Sequence, residues 1–299
     1  MKGLYRRNKM SNIILQFLLL ICFSTMLNAA APDLKIALSQ LNAQTPFVDF
    51  NLGLTDGEKQ QLEKIILKPS ELYDNYGSIK ELIVDLTMFF EAMGNDYNSS
   101  YAAAKTIHKT VGKIVKDLGA ESFWLELDIT RPHKERFIQF PFYWRYDESR
   151  YSFGNLNGIL GNITNKICFT LKGPSMIFYN ISLRDREKFN EIFYRESELE
   201  YEDIKGAYKK VTIGYGGTEK GRVELDQLID KSKIHQPQSY TGTVFMVGDK
   251  NTAAIYSEPI VYENQIYVSI VPGSKKQIQE LHKAHHNKEY IKVISTTYK

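Results

Sequence analysis

Three of the chain's six histidines, His282, His285 and His286, fall within five residues in the stretch ELHKAHHNK. Histidines at i, i+3 and i+4 meet on one face of a helix, and three nitrogen donors are enough for a catalytic zinc. All three lie in a single turn, however, and no ligand from another element can be assigned. Lys283 and Lys288 add positive charge where a cation would sit, and Lys283-Ala284 stand where an H-E-x-x-H metalloprotease helix would carry its glutamate. Ser274-Lys-Lys-Gln277 has the form of a capping box, so the expected helix runs from Lys275 to about His286. Its last turn holds the histidines, where imidazoles interact favourably with the helix dipole and its free carbonyls. They are read as helix-end residues in preference to zinc ligands, and no other cofactor is indicated.

A second candidate is the run GYGGTEKG, with Gly214, Gly216, Gly217 and Gly221 between an expected strand and an expected helix. Backbone amides of such a turn can hold an anion. The spacing misses both nucleotide fingerprints: the fifth place after Gly214 is Glu219, and Gly221 is followed by Arg222-Val223. The PGSKK run at 272–276 offers amides and lysines to an anion, but a capped helix start accounts for it. Cys168 followed by His235 has the order found in cysteine hydrolases. KICFTL nevertheless reads as a buried strand, where a free thiol is an inert small hydrophobe.

The third candidate is aromatic. In FIQFPFYWRY the alternation leaves Phe137, Tyr143 and Arg145 on one face beside Pro141, which lacks an amide donor and favours a sheet edge. An aromatic and arginine surface of this kind suits stacking on a glycan or docking of a protein.

These residues must be positioned by two kinds of element. Thr55-Asp-Gly-Glu58 and Ser78-Ile-Lys-Glu81 have the form of capping boxes, the second opening a helix closed by Gly94. A third helix ends at Gly119, with Ala104, Ile107, Val111, Ile114, Val115 and Leu118 at helical spacing. Lys105, Lys109, Lys113 and Lys116 form its opposite, basic stripe. At Glu121 the period changes to two: Phe123, Leu125, Leu127 and Ile129 face one way, and Trp124, Glu126, Asp128 and Thr130 the other. This strand and the aromatic one are expected to form a hairpin. Further strands are expected at KICFTL, SMIFYNI, VTIGY, TGTVFMV, TAAIYS, QIYVSIV and YIKVIST, with an acidic helix over 183–208. The fold class expected is α+β: a helical region over 32–119, then a mixed, largely antiparallel sheet region with short helices over 120–299.

The first 31 residues read as a secretory signal peptide: a basic start, an apolar run from Ile13 to Leu27 too short to span a bilayer, and a small-residue site near Ala29 to Ala31. The formal net charge is +3, and those residues carry four cations and no acid, which leaves the remainder at −1. Nothing there is the concentrated basic surface that nucleic acid requires, and no membrane span is expected after cleavage. Of two cysteines, only Cys168 lies beyond the signal, so a disulfide scaffold is excluded. The expectation is a soluble binding or interaction module, secreted or periplasmic, with a protein or glycan partner. The alternative is a secreted enzyme, a hydrolase or transferase with its site in the α+β region, and export also permits a toxin or host-directed effector.

Overall fold

The computed structural model describes residues 31–68, 71–77, 79–130, 132, 142–147, 164–202, 208–214, 216 and 218–286. Four helices lead the described chain: α1 (Leu34–Gln40), α2 (Asp56–Glu63), α3 (Leu82–Ala92) and α4 (Tyr97–Leu118). The Thr55 box closes as expected, its hydroxyl accepting from the Glu58 amide and the Glu58 carboxylate accepting from the Thr55 amide. The expected Ser78 box falls on a residue outside the described ones; α3 itself begins at Leu82 with no side-chain cap at Glu81. Gly119 ends α4 at φ +62°, a left-handed turn that glycine adopts without strain.

The region 32–119 also supplies two strands, β1 (Phe47–Asn51) and β2 (Glu71–Tyr76), which sequence periodicity had not separated from the helices. They are the edges of a six-stranded antiparallel sheet ordered β1-β9-β4-β11-β3-β2, whose other members are β3 (Ser122–Thr130), β4 (Asn165–Lys172), β9 (Thr241–Met246) and β11 (Gln265–Gly273). A second sheet holds β10 (Ile255–Ser257), β5 (Ile177–Tyr179) and β8 (Ile234–His235) in that order, and Arg145 extends its β10 edge by one antiparallel bridge to Tyr256. From β3 to β11 the sandwich strands follow in the order β3, Arg145, β4, β5, β8, β9, β10 and β11, changing sheet at every step except from β5 to β8, which both lie in the small sheet. The spatial orders β3-β11-β4-β9 and Arg145-β10-β5-β8 are those of a double-sheet jelly roll.

Each sheet face has its own packing partner. Leu125, Leu127 and Ile129 join Ile167, Phe169 and Val244 against Ile107 and Val111 of α4, so the expected apolar side of β3 meets the helices. Trp124, Cys168, Phe245 and Val271, from the opposite face, pack on Phe178 and Tyr256 of the small sheet. Trp144, Tyr146, Tyr179 and Ile255 pack with α5 (Leu183–Tyr194) and α6 (Glu219–Leu228) behind the small sheet. The fold is α+β, as the sequence indicates.

Two expected elements differ. The β3–aromatic hairpin is not made, because β3 is flanked by β2 and β11 and the aromatic segment crosses to the other sheet at Arg145. The acidic segment is helical only to Tyr194; β6 (Glu196–Glu202) then pairs antiparallel with β7 (Tyr208–Gly214). The last expected strand, YIKVIST, lies outside the described residues.

Candidate functional site

Antiparallel register places six side chains in one line across the inner face of the large sheet. Asp74 is opposite Glu126, Glu126 opposite Ser269, Ser269 opposite Cys168, Cys168 opposite Thr243, and Thr243 opposite Asp49. Side chains on alternate residues of a strand share a face, so this polar row lies beside the row whose Phe47 and Phe245 rings meet Phe178 of the small sheet. The adjacent row holds Lys166, opposite Phe245, which is opposite Phe47.

At the β4 end of that adjacent row a buried ion pair forms. Lys166 Nζ lies 3.0 Å from Asp147 Oδ2, with only 16% and 3% of the two side chains exposed. The Tyr256 hydroxyl donates to the other carboxylate oxygen, and the Gly248 amide donates to the Asp147 carbonyl at 2.7 Å. Burial by itself raises the Asp147 carboxyl. The Lys166 ammonium, the Tyr256 hydroxyl and the Arg145 guanidinium outweigh it and hold the group below the ordinary carboxylate range. Arg145 lies 5.4 Å over the Tyr256 ring and pairs with Glu258.

The neighbouring carboxyls behave oppositely. Burial pushes Glu126 up, Lys166 pulls it back, and the charges of Asp74, Asp128 and Asp147 push it up again; the net shift is upward. Asp128 is also raised by burial, with Glu258 adding to it and the Thr130 hydroxyl opposing. Glu126 has no hydrogen-bond partner among the described residues. One face thus holds carboxyls driven apart in acidity, the arrangement that assigns proton donor and permanent anion in acid–base sites.

The other end of the row is quieter. His235 Nε2 is 2.7 Å from Asp49 Oδ2, and Thr243 Oγ1 donates to Asp49 Oδ1 at 2.8 Å. The Asp49 bond raises the imidazole pKa against burial. Cys168 and His235 are therefore separated in the row by Thr243 and Asp49, and burial pushes the thiol up to about 12. The cysteine–histidine couple does not form.

The sequence candidates end up apart. Tyr143 lies beneath two guanidinium groups, Arg145 at 5.4 Å and Arg222 at 4.3 Å; Phe137 lies outside the described residues. Gly214 ends β7. Gly216 packs so closely that a Cβ there would lie 2.8 Å from the Phe193 ring, and the Gly221 amide already donates to Thr218 Oγ1 at 3.0 Å. Gly217 is outside the described residues. α7 (Lys275–His286) starts with the expected Ser274–Gln277 box. His282 meets the Tyr76 ring edge-on at 4.6 Å, while the side chains of His285 and His286 are not among those described. No group of three His, Cys, Asp or Glu residues suited to a metal occurs among the described residues. None of their helices is long and apolar enough to cross a membrane.

The residues that sequence reasoning missed are Asp147, Lys166 and Tyr256. The period of two had already placed Glu126 and Asp128 opposite the helix-facing side of β3, but nothing local tied them to a lysine 40 residues away.

No protein-family model and no curated protein matches the chain. Among solved structures, a Pseudomonas putida prolyl-4-hydroxylase is similar at 9% identity and TM-score 0.34, covering 83% of this chain and 99% of its own. A rice dioxygenase for auxin oxidation is similar at 11% identity and TM-score 0.35, covering 81% and 82%. The corresponding dioxygenase from Arabidopsis thaliana, in complex with 2-oxoglutarate, has 7% identity and TM-score 0.36, covering 81% and 91%. These neighbours are enzymes, and the expectation of a non-enzymatic binding module is withdrawn on that finding. At such scores no residue role or reaction transfers from them.

Proposed function

We propose that the protein is an enzyme that transfers protons at the inner face of the large sheet, with Glu126 as its general acid–base. The observation that carries this reading is the half-buried Glu126 carboxyl, raised in pKa and without a hydrogen-bond partner among the described residues, beside a permanently ionised pair. A carboxyl raised towards the working pH can give a proton to a leaving or carbonyl oxygen and then take one from water or a carbon acid. Lys166, fixed by the Asp147 carboxylate that also accepts from the Tyr256 hydroxyl, is a preorganised positive charge that favours negative charge developing nearby. Asp74, Asp128 and Glu258 make the surroundings acidic, which favours a neutral or cationic polar substrate. The signal-peptide reading supports action outside the cytoplasm.

The test is turnover of neutral and cationic polar compounds by the full chain, beside Glu126→Gln. Loss of a general acid typically lowers rate by ~10²–10⁴, so the variant is expected to lose kcat on that scale with folding intact. A substrate turned over equally by both proteins would end the reading.

A further inference from the structure

A different cavity, of about 400 Å³, lies where α7 crosses the ends of β2 and β3, walled by Tyr76, Ser122, Lys275, Gln279, His282 and Lys283. The α7 members recur at helical spacing and share one face. Three basic side chains therefore border one small space. Lys275 Nζ has no partner among the described residues. The nearby carboxylates are Glu121, which accepts from the Lys275 amide at 3.4 Å, and Glu280, 3.1 Å from Lys283 Nζ.

An independent observation comes from the sheet. Ser122 is only 5% exposed, yet its hydroxyl lines this cavity with no hydrogen-bond partner among the described residues. Its oxygen reaches the cavity, where a ligand or water can complete its hydrogen bonding. Gly77 stands against it: a Cβ there would lie 2.6 Å from Ser122 Oγ, and its φ of +83° favours glycine. The remaining wall is aromatic and apolar. The Tyr76 ring stacks on Trp124 at 5.7 Å and 4°, and Ile278 closes the floor.

We infer that this cavity binds a phosphomonoester. Its dianionic head would lie among Lys275, His282 and Lys283, with the Ser122 hydroxyl donating to one phosphate oxygen. Its organic part would lie along Tyr76 and Ile278. Two ammonium groups, an imidazole and a hydroxyl match the three terminal oxygens and near-double charge of a phosphate monoester, more donors than the two oxygens of a carboxylate use. This site is separate from the Glu126 reading and stands or falls without it.

Isothermal titration of the full chain with phenyl phosphate and with inorganic phosphate tests it. Phenyl phosphate should bind more tightly than inorganic phosphate. The Lys275→Gln/Lys283→Gln variant, altered only at exposed side chains, should weaken both by roughly tenfold or more, as expected when charge-assisted bonds are lost. Ser122→Ala should weaken both less, with the unliganded Tm kept. Undetectable binding of either compound, or binding unchanged in the double lysine variant, overturns the site. Equal affinity for the two compounds overturns the ester in favour of free phosphate.

Discussion

Replacing Lys166 by methionine removes the ammonium and leaves its apolar stem nearly intact, so the change isolates the charge. The Asp147 carboxylate, 3% exposed, then stays buried with Tyr256 and Arg145 as its remaining partners. Stranding one member of a buried pair costs about 3–5 kcal/mol, and the two surviving partners place this case near the lower end. For a folded region of this size, 3 kcal/mol corresponds to a fall in Tm of roughly 6–12 °C. It is also a large fraction of a typical total stability of about 5–15 kcal/mol. Urea unfolding followed by the fluorescence of Trp124 and Trp144 reads it directly. A second chain, Lys166→Met with Asp147→Leu, should recover most of the loss, because an apolar replacement of the whole pair is often neutral. The pH dependence has a definite sign. The folded pKa of Asp147 is lowered, so the stability it contributes is present above the unfolded value near ~3.9 and is lost as pH falls through the folded value. The difference between wild type and Lys166→Met should therefore close in acid. A cost below 1 kcal/mol for the single change, or a double variant no better than the single one, would refute the argument.

Two further outcomes can be checked on the same protein. Gly242→Ala should destabilise by about 1–3 kcal/mol through overpacking, since a Cβ there would lie 2.3 Å from the Phe50 ring; denaturant midpoints measure it. Cys168, buried with its thiol pushed up to about 12, should resist a thiol reagent at pH 8 in the folded chain and react at once in urea, because only the thiolate is nucleophilic.

The parts of this fold visible in the sequence are those set by short-range chemistry. The 3.6-residue spacing of Ile107, Val111 and Ile114 foretold the buried face of α4. The alternation in β3 correctly divided Leu125 and Leu127 from Glu126 and Asp128. The Thr55 and Ser274 caps formed because their partners lie three residues away. What alternation could not give was pairing. β3 joins β2, about 50 positions earlier in the chain, and β11, about 140 positions later, so no hairpin turn recorded its neighbours. The acidic run after Tyr194 showed charge rather than periodicity, and its second half became the β6–β7 hairpin. The site was harder still. Tyr256 and Asp147 are 109 residues apart and Lys166 and Asp147 are 19 apart; only the crossing of strands between two sheets brings them together. The histidine triplet attracted notice by composition, yet the face that organises acids and bases holds none of it.

The most direct test of the acid–base reading is the titration of the Glu126 carboxyl itself, followed by carbon NMR of the glutamate-labelled chain and assigned with Glu126→Gln. A carboxyl raised in the folded state keeps its proton to higher pH than in the unfolded chain. Its stabilising contribution is thus complete below the unfolded pKa and is lost as pH rises through the folded one. The account requires a midpoint above the ordinary glutamate value near ~4.3, with the Glu126→Gln chain gaining stability relative to wild type as pH rises through it. A midpoint at or below that ordinary value would leave Glu126 an ordinary carboxylate and contradict the proposed role.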